Sequence, residues 1–337
     1  MKVAELREKL SKMKKEELIK VASEFYKLIP KAKKEDYGLD DFINNPSKRQ
    51  KKASSKQALT LDEIQPELRT FIANAKEQYY LYPNKVVPKK ERSTWRFKVK
   101  KWYKELINVN RADKDIHRQA QLLLELYELM CESCGYEYFT AYDPFESIGI
   151  AQSDFYRSVI SLLHEAKGKL ETVQQAITLI VYNYLNRYTL YSSLMKELIA
   201  TFESVDLKYK GIEVAEKLIE KNNFQPKKEK NSRFYWHSTE EFNKKERHNN
   251  LVEFVLRLRM SLQETEEGIE FYQKHHYQDR DEVKLYILVS ILFGKKMKKH
   301  ILNVIQAAID EKIEPRKSLL NLSKYIKEND DLPQYMS

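Results

Sequence analysis

Apolar residues recur along this 337-residue chain at intervals of three and four, the spacing that places side chains on one face of a helix. Val3, Leu6 and Leu10 form a short stripe. Leu18, Val21, Ala22, Phe25, Leu28 and Ile29 form a second, stopped by Pro30. Thr60 followed by Glu63 has the form of a capping box. It introduces a face of Leu68, Phe71, Ile72 and Ala75, with Pro83 as the expected end. Ser93 or Thr94 is placed to cap a segment with Trp95, Val99, Trp102 and Leu106 on one side. Asp113 opens a longer helix carrying Ile116, Ala120, Leu124, Tyr127 and Cys131, with Gly135 in the C′ position.

The pattern continues after an irregular stretch at 136–152. Ser153 to Ala166 is helical and ends at Gly168, and Leu170 to about Phe202 forms one long helix or two. Its tyrosines (Tyr182, Tyr184, Tyr188, Tyr191) are most economically read as packing between helices, although tyrosine also anchors interfaces. A short helix covers about Ile212 to Lys221. Further stripes follow at Leu251–Leu262, Val283–Ile291 and Ile301–Ala308. Asp279 with Glu282 is a capping signal, and Pro315 marks a first helical position. No segment alternates with period two between turn signals, so the expected fold is all-α. Antiparallel helix pairs would build bundles or an irregular α-solenoid, and no fixed-period repeat favours a regular one. The polar stretches 44–58 and 222–232 read as linkers. They lead to an expected division into a basic helical domain (1–145), a central long-helix region (146–221) and a C-terminal helical domain (233–337).

Composition narrows the function classes. Only seven glycines occur, no two closer than Gly135 and Gly149. Neither GxGxxG nor GxxxxGK[ST] can be written, which disfavours Rossmann and P-loop chemistry. The amino terminus has no signal-peptide pattern, and the longest apolar run, Leu285 to Phe293, is far short of the roughly 20 residues of a membrane span. Two cysteines are too few for a secreted disulfide framework, so a reducing cytoplasm and no membrane association are expected. The net charge of +10 is uneven: residues 1–110 carry 27 Lys/Arg against 15 Asp/Glu, leaving the rest slightly acidic. That asymmetry points to an anionic partner for the first third.

The opening ELREKLSKMKKEELIKVASEFYKLIPKAKKEDYGLDDFINNP has a short helix, a Lys-Glu-Glu-Leu-Ile helix ending on an aromatic, and an Asn-Asn-Pro stop. A looser match runs through KVKKWYKELI and residues 114–131 to about 165. This part resembles a bacterial family of small helical domains of unknown function, which implies a helical fold and no assigned activity.

The segment KVVPKKERSTWRFKVKKWYK (85–104) is the leading site candidate. Lys85, Lys89, Lys90, Arg92, Arg96, Lys98, Lys100, Lys101 and Lys104 face a single acid, Glu91, with Trp95, Phe97, Trp102 and Tyr103 interleaved. Clustered cations release counterions from phosphates, and exposed aromatics stack on unpaired bases. The stripe spacing favours burial of the tryptophans, leaving a cationic face for nucleic acid or an acidic protein. The Lys48–Lys52 run adds to that charge.

Cys131-Glu-Ser-Cys134 is a single CxxC at the end of a helix. It lacks the four ligands of structural zinc and the helix start that activates a redox thiol, so it reads as structural. Arg111 with His117, and Arg157 with His164, have spacings similar to the Rx4–6H motif of HEPN-type ribonucleases, which implies metal-independent RNA cleavage. In Arg111-Ala112 the usual polar residue is missing, and His164 adjoins Leu162 and Leu163. His275 and His276 near Asp279, Asp281 and Glu282 read more simply as a helix start. His237 with Glu240 and Glu241 is equally spare. The resulting expectation is a non-catalytic helical binding or scaffold protein without cofactor or metal. Its contacts are Lys89, Lys90, Arg92, Arg96, Lys98, Lys100, Lys101 and Lys104. The alternative is a metal-independent HEPN-like ribonuclease using Arg157, His164, Arg111 and His117.

Overall fold

The computed structural model describes residues 3–36, 39–44, 60–108, 115–224 and 239–336, and every regular element among them is a helix. Most of both polar linker segments, together with Arg111, Asp113 and His237, lies outside the described residues. The chain forms two compact units, Met1–Ala58 and Leu59–Ser337.

The first unit contains α1 (Val3–Ser11), α2 (Lys15–Leu28), α3 (Lys31–Asp36) and α4 (Leu39–Asn44). The Tyr26 hydroxyl donates to Asp40, and the Lys34 ammonium lies 4.0 Å from the Tyr26 ring centre. No side chain of α2 is buried, although its stripe repeats at helical spacing. Helical periodicity specifies a face; it does not supply the partner that covers it.

The second unit runs through α5 (Leu61–Lys76), α6 (Lys89–Arg92), α7 (Trp95–Asn108), α8 (Ile116–Gly135), α9 (Pro144–Ile148), α10 (Gln152–Lys167), α11 (Lys169–Val181), α12 (Tyr191–Ala200) and α13 (Val205–Asn222). It continues through α14 (Thr239–Ser261), α15 (Thr265–His275), α16 (Asp281–Gly294), α17 (Lys298–Asp310) and α18 (Lys317–Asn329). Helices α5, α7 and α10 pack on α8; α10 hands on to α11, α11 to α13, α13 to α14, and α14 to α15. A separate run joins α16, α17 and α18. The capping signal at residue 60 is realised, because the Glu63 carboxylate accepts from the Thr60 backbone N–H at 2.8 Å and from its hydroxyl at 3.0 Å. That arrangement satisfies a backbone donor that the helix leaves open.

Two hydrophobic clusters result. One extends from Leu61 to Leu258 and the other from Val252 to Ile326. Helix α14 serves both: Leu251, Phe254, Val255 and Leu258 enter the first, while Val252, Leu256 and Met260 enter the second. A helix apolar on more than one side must be enclosed on more than one side. The apolar run Leu285–Phe293 lies within α16 and has the same explanation, with Leu285, Leu288, Val289, Ile291 and Leu292 buried. Among the described residues no helix is long and apolar enough to cross a membrane.

Several boundaries differ from the sequence expectation. Helix α5 stops at Lys76, well before Pro83, because Gln78 takes a left-handed φ of 58°. The expected long helix after Leu170 is two, α11 and α12, separated by a loop at 182–190. The N-cap of α16 is Arg280; Asp279 instead pairs with Lys245 at 3.2 Å. Pro315 precedes the Arg316 cap of α18. Gly135 is the last residue of α8 rather than a left-handed C′, and its value is steric. A Cβ there would stand 2.7 Å from the Tyr184 ring.

Candidate nucleic-acid interface

Helix α7 separates its residues by angle. Trp95, Val99, Trp102 and Leu106 are buried. Trp95 stacks on Phe139 with ring centres 4.1 Å apart, and Trp102 meets Phe71 edge-on at 5.1 Å. The tryptophans are therefore core, as their spacing implied. At 100° per residue the opposite side carries Arg96, Phe97, Lys100, Lys101 and Lys104. Phe97 is 62% exposed at the centre of that face, and the Arg96 guanidinium carbon lies 5.0 Å from its ring centre. Arg96, Lys101 and Lys104 are exposed, Lys100 is half-buried, and none makes an ion pair with a described residue.

The rest of the basic segment divides differently. Lys89 and Lys90 are exposed on α6. Arg92 turns inward, donating from Nε to the Val87 carbonyl at 3.0 Å and from Nη2 to the Asn84 carbonyl at 3.2 Å. Asn84 itself knits the turn: its amide nitrogen reaches the Tyr79 and Tyr82 carbonyls, and its oxygen accepts from Val86 and Val87. Lys98 is held by Glu91 at 3.4 Å. Arg92 and Lys98 thus shape the segment, while the cations of α6 and of the outer α7 face remain available.

A second feature lies at the far end of α9. The Asp143 side chain accepts from the Glu146 N–H at 3.0 Å, Pro144 occupies the first turn, and Gly149 closes the helix with φ 63°. The Lys100 ammonium stands beside Gly149, within 3.4 Å of where a Cβ would be. Tyr142 immediately precedes the Asp143 cap, so Lys100 and Tyr142 flank a five-residue helix about 7.5 Å long. Tyr142 is 78% exposed, and the Arg187 guanidinium lies 3.6 Å over its ring while donating to its hydroxyl. Tyr188 is 69% exposed, 6.0 Å from the same guanidinium. Tyr184 is also exposed and meets Tyr136 edge-on at 5.6 Å.

The loop that displays Tyr184, Arg187 and Tyr188 is hydrogen-bonded from beneath. The buried Gln152 side chain accepts from the Asn186 N–H at 2.8 Å and donates to the Tyr184 carbonyl at 3.0 Å. The Asn186 amide reaches Asp143 at 3.5 Å. Buried amides that satisfy a loop's backbone order it without covering its outer side chains. Tyr182 and Tyr191 are half-buried, so the tyrosine run is part packing and part display rather than helix packing alone. The signal available in the sequence was Asn183 and Asn186 within the run, residues that compete for backbone bonds and break helices.

The remaining candidates stand apart. Arg157 is exposed on α10, bound to Glu197 at 2.8 Å and Asp154 at 3.0 Å. His164, two turns further along, is half-buried and its Nε2 has no hydrogen-bond partner among the described residues. Burial, with Lys169 nearby, holds its pKa below the usual value against the opposing effect of Glu203. His117 is exposed near the start of α8. Cys131 is fully buried in the last turns of α8, and Gln152 donates to its sulfur at 3.3 Å. Burial raises the Cys131 thiol far above its usual range and pushes Cys134 up to about 12. Neither is a thiolate near neutral pH. His276 is buried against the Tyr272 ring, and Glu282 pairs with Arg316 in the first turn of α16. Among the described residues no group of His, Cys, Asp and Glu is arranged to hold a metal ion. No protein-family model, curated protein or solved structure matches the chain.

Proposed function

We propose that this protein binds single-stranded nucleic acid through the outer face of α7 and the tyrosine–arginine rim at the start of α9, acting by binding rather than by turnover. One observation carries the reading: an exposed aromatic rim and the Lys100 ammonium of the cationic α7 face lie at the two ends of one short helix. Cations along a surface track the phosphates, and exposed rings accept unpaired bases whatever their sequence. A duplex keeps its bases stacked on one another and offers little to such a rim. An acidic protein could meet the same lysines, but it has no need of exposed rings flanking an arginine.

Fluorescence anisotropy with a labelled single-stranded oligonucleotide and its duplex, across a salt series, tests the proposal. The single strand should bind more tightly, and log K should fall linearly with log salt. Reversing Lys100, Lys101 and Lys104 to glutamate should abolish binding at physiological salt while leaving the helical circular-dichroism signal intact. Unchanged affinity in that variant sinks the assignment, and equal affinity for the duplex removes the role of the rim.

A further inference from the structure

Where α12, α14 and α16 meet, a cavity of ≈ 260 Å³ opens to the surface, lined by Ser192 and Lys196, by Glu253 and Arg257, and by Ser290 and Lys295. Arg257 is the unusual member. It is 9% exposed, yet it makes no hydrogen bond with a described residue, and its Nε is sealed without a partner. Its nearest carboxylate, Glu253, stands 3.6 Å away, beyond hydrogen-bonding reach. Glu253 is also shared, with the His276 Nε2 3.7 Å from its other oxygen. A guanidinium enclosed in this way is costly unless its fork of donors meets an oxyanion.

The surroundings specify which oxyanion. Lys196 and Lys295 are exposed at the mouth and make no ion pair with a described residue. With Arg257 they place three positive charges against the one negative charge of Glu253. The Ser192 hydroxyl adds a donor on the Lys196 side, whereas Ser290 already donates to the Tyr286 carbonyl at 2.7 Å. A net excess of two positive charges matches a dianion, and a planar fork flanked by two ammonium groups matches tetrahedral phosphate oxygens. The volume falls below the range of drug-sized sites, so the occupant is small or is one end of a larger molecule.

We propose that Arg257, Lys196, Lys295 and Ser192 form a binding site for a terminal phosphate group. Arg257 supplies the bidentate contact, the two lysines neutralise the charge, and Ser192 donates to a remaining oxygen. The phosphate belongs to a small phosphate monoester or to the 5′ end of a nucleic-acid strand. The site also has a structural consequence. Helix α12 belongs to the first hydrophobic cluster, α16 to the second and α14 to both, so a bound phosphate ties the two clusters together at their seam.

Thermal unfolding and titration calorimetry of the full chain with inorganic phosphate and with a nucleoside 5′-monophosphate, against chloride at matched ionic strength, test the site. A 5′-phosphorylated oligonucleotide and its 5′-hydroxyl counterpart form the second arm. Saturable stabilisation is expected, following the logarithm of ligand concentration over Kd. Arg257→Gln should eliminate it. Because that residue is buried, Lys196→Ala and Lys295→Ala, at exposed positions, provide the independent check, and each should weaken binding at least fivefold. Saturation by the free phosphate compounds identifies a small ligand; a response only to the 5′-phosphorylated strand identifies a strand end. The absence of saturable binding in both arms, or binding unaffected by the two lysine variants, overturns the proposal. Reversal of the α7 lysines should leave the stabilisation by inorganic phosphate and the nucleoside monophosphate in place, so the site and the nucleic-acid reading fail separately.

Discussion

The tryptophans of α7 and the outer tyrosines of the 182–190 loop are aromatic side chains put to opposite uses. Trp95 and Trp102 fall at helical spacing with Val99 and Leu106, and all four are buried. Tyr184 and Tyr188 sit at similar intervals, yet they face outward from a loop whose Tyr184 carbonyl and Asn186 N–H are bonded by Gln152 rather than by a helix. Spacing therefore decides burial only where the backbone hydrogen bonds close within the segment. Where a distant side chain takes over those bonds, the same residues become a surface.

The largest test of that contrast lies within α7. Trp102→Ala removes a ring packed edge-on against Phe71, and should cost about 3–5 kcal/mol of folding stability, read as a fall in denaturant midpoint. Phe97→Ala, five residues earlier on the exposed side, should stay within about 0.5 kcal/mol. Similar losses at both positions would mean that the outer face is packed after all.

The rim should show the reverse behaviour. Tyr142→Ala and Tyr188→Ala should leave the unfolding midpoint nearly unchanged. Each should weaken single-strand binding by about 1–3 kcal/mol, the usual worth of an aromatic stacked on a base. Gln152→Ala couples the two properties. It leaves the Asn186 N–H and the Tyr184 carbonyl without their partner, at a cost of about 1–3 kcal/mol in stability. Binding should weaken as well, because the loop loses the bonds that hold its tyrosines in place. Intact binding in a destabilised Gln152→Ala protein would show that the rim does not depend on its support.

The legible parts of the molecule are those whose causes lie close together in the chain. The Thr60–Glu63 cap, the α7 stripe and the place of Cys131-Glu-Ser-Cys134 at the end of α8 each depend on residues a few positions apart. The break at 182–190 depends on a glutamine more than thirty residues earlier. Gly135 reads as a helix stop from its type alone, but the reason for it is the Tyr184 ring, 49 positions away in the chain. The charge excess marks the basic segment but does not tell that Arg92 closes a turn while Lys101 faces out. The Arg257 cavity draws on three helices that no local pattern brings together.

A pH series sharpens the comparison at the smallest scale. His164 has its pKa lowered chiefly by burial, and His248 is shifted the same way for the same first reason, against a hydrogen bond to the His275 carbonyl. A histidine whose folded-state pKa lies below its unfolded value of about 6.5 binds fewer protons when folded. Its contribution is therefore complete above that unfolded value. As pH falls below it, stability declines, and the decline levels off once the folded-state value is passed. His164→Gln should flatten part of this acid limb in urea midpoints measured between pH 8 and 5. Single-strand affinity at the rim should change little over the same range, since His164 and His248 lie on α10 and α14, outside the rim. A midpoint that falls equally in the His164→Gln protein assigns the acid limb to other groups. An affinity that changes with the midpoint makes the rim a dependant of the core rather than a separate surface.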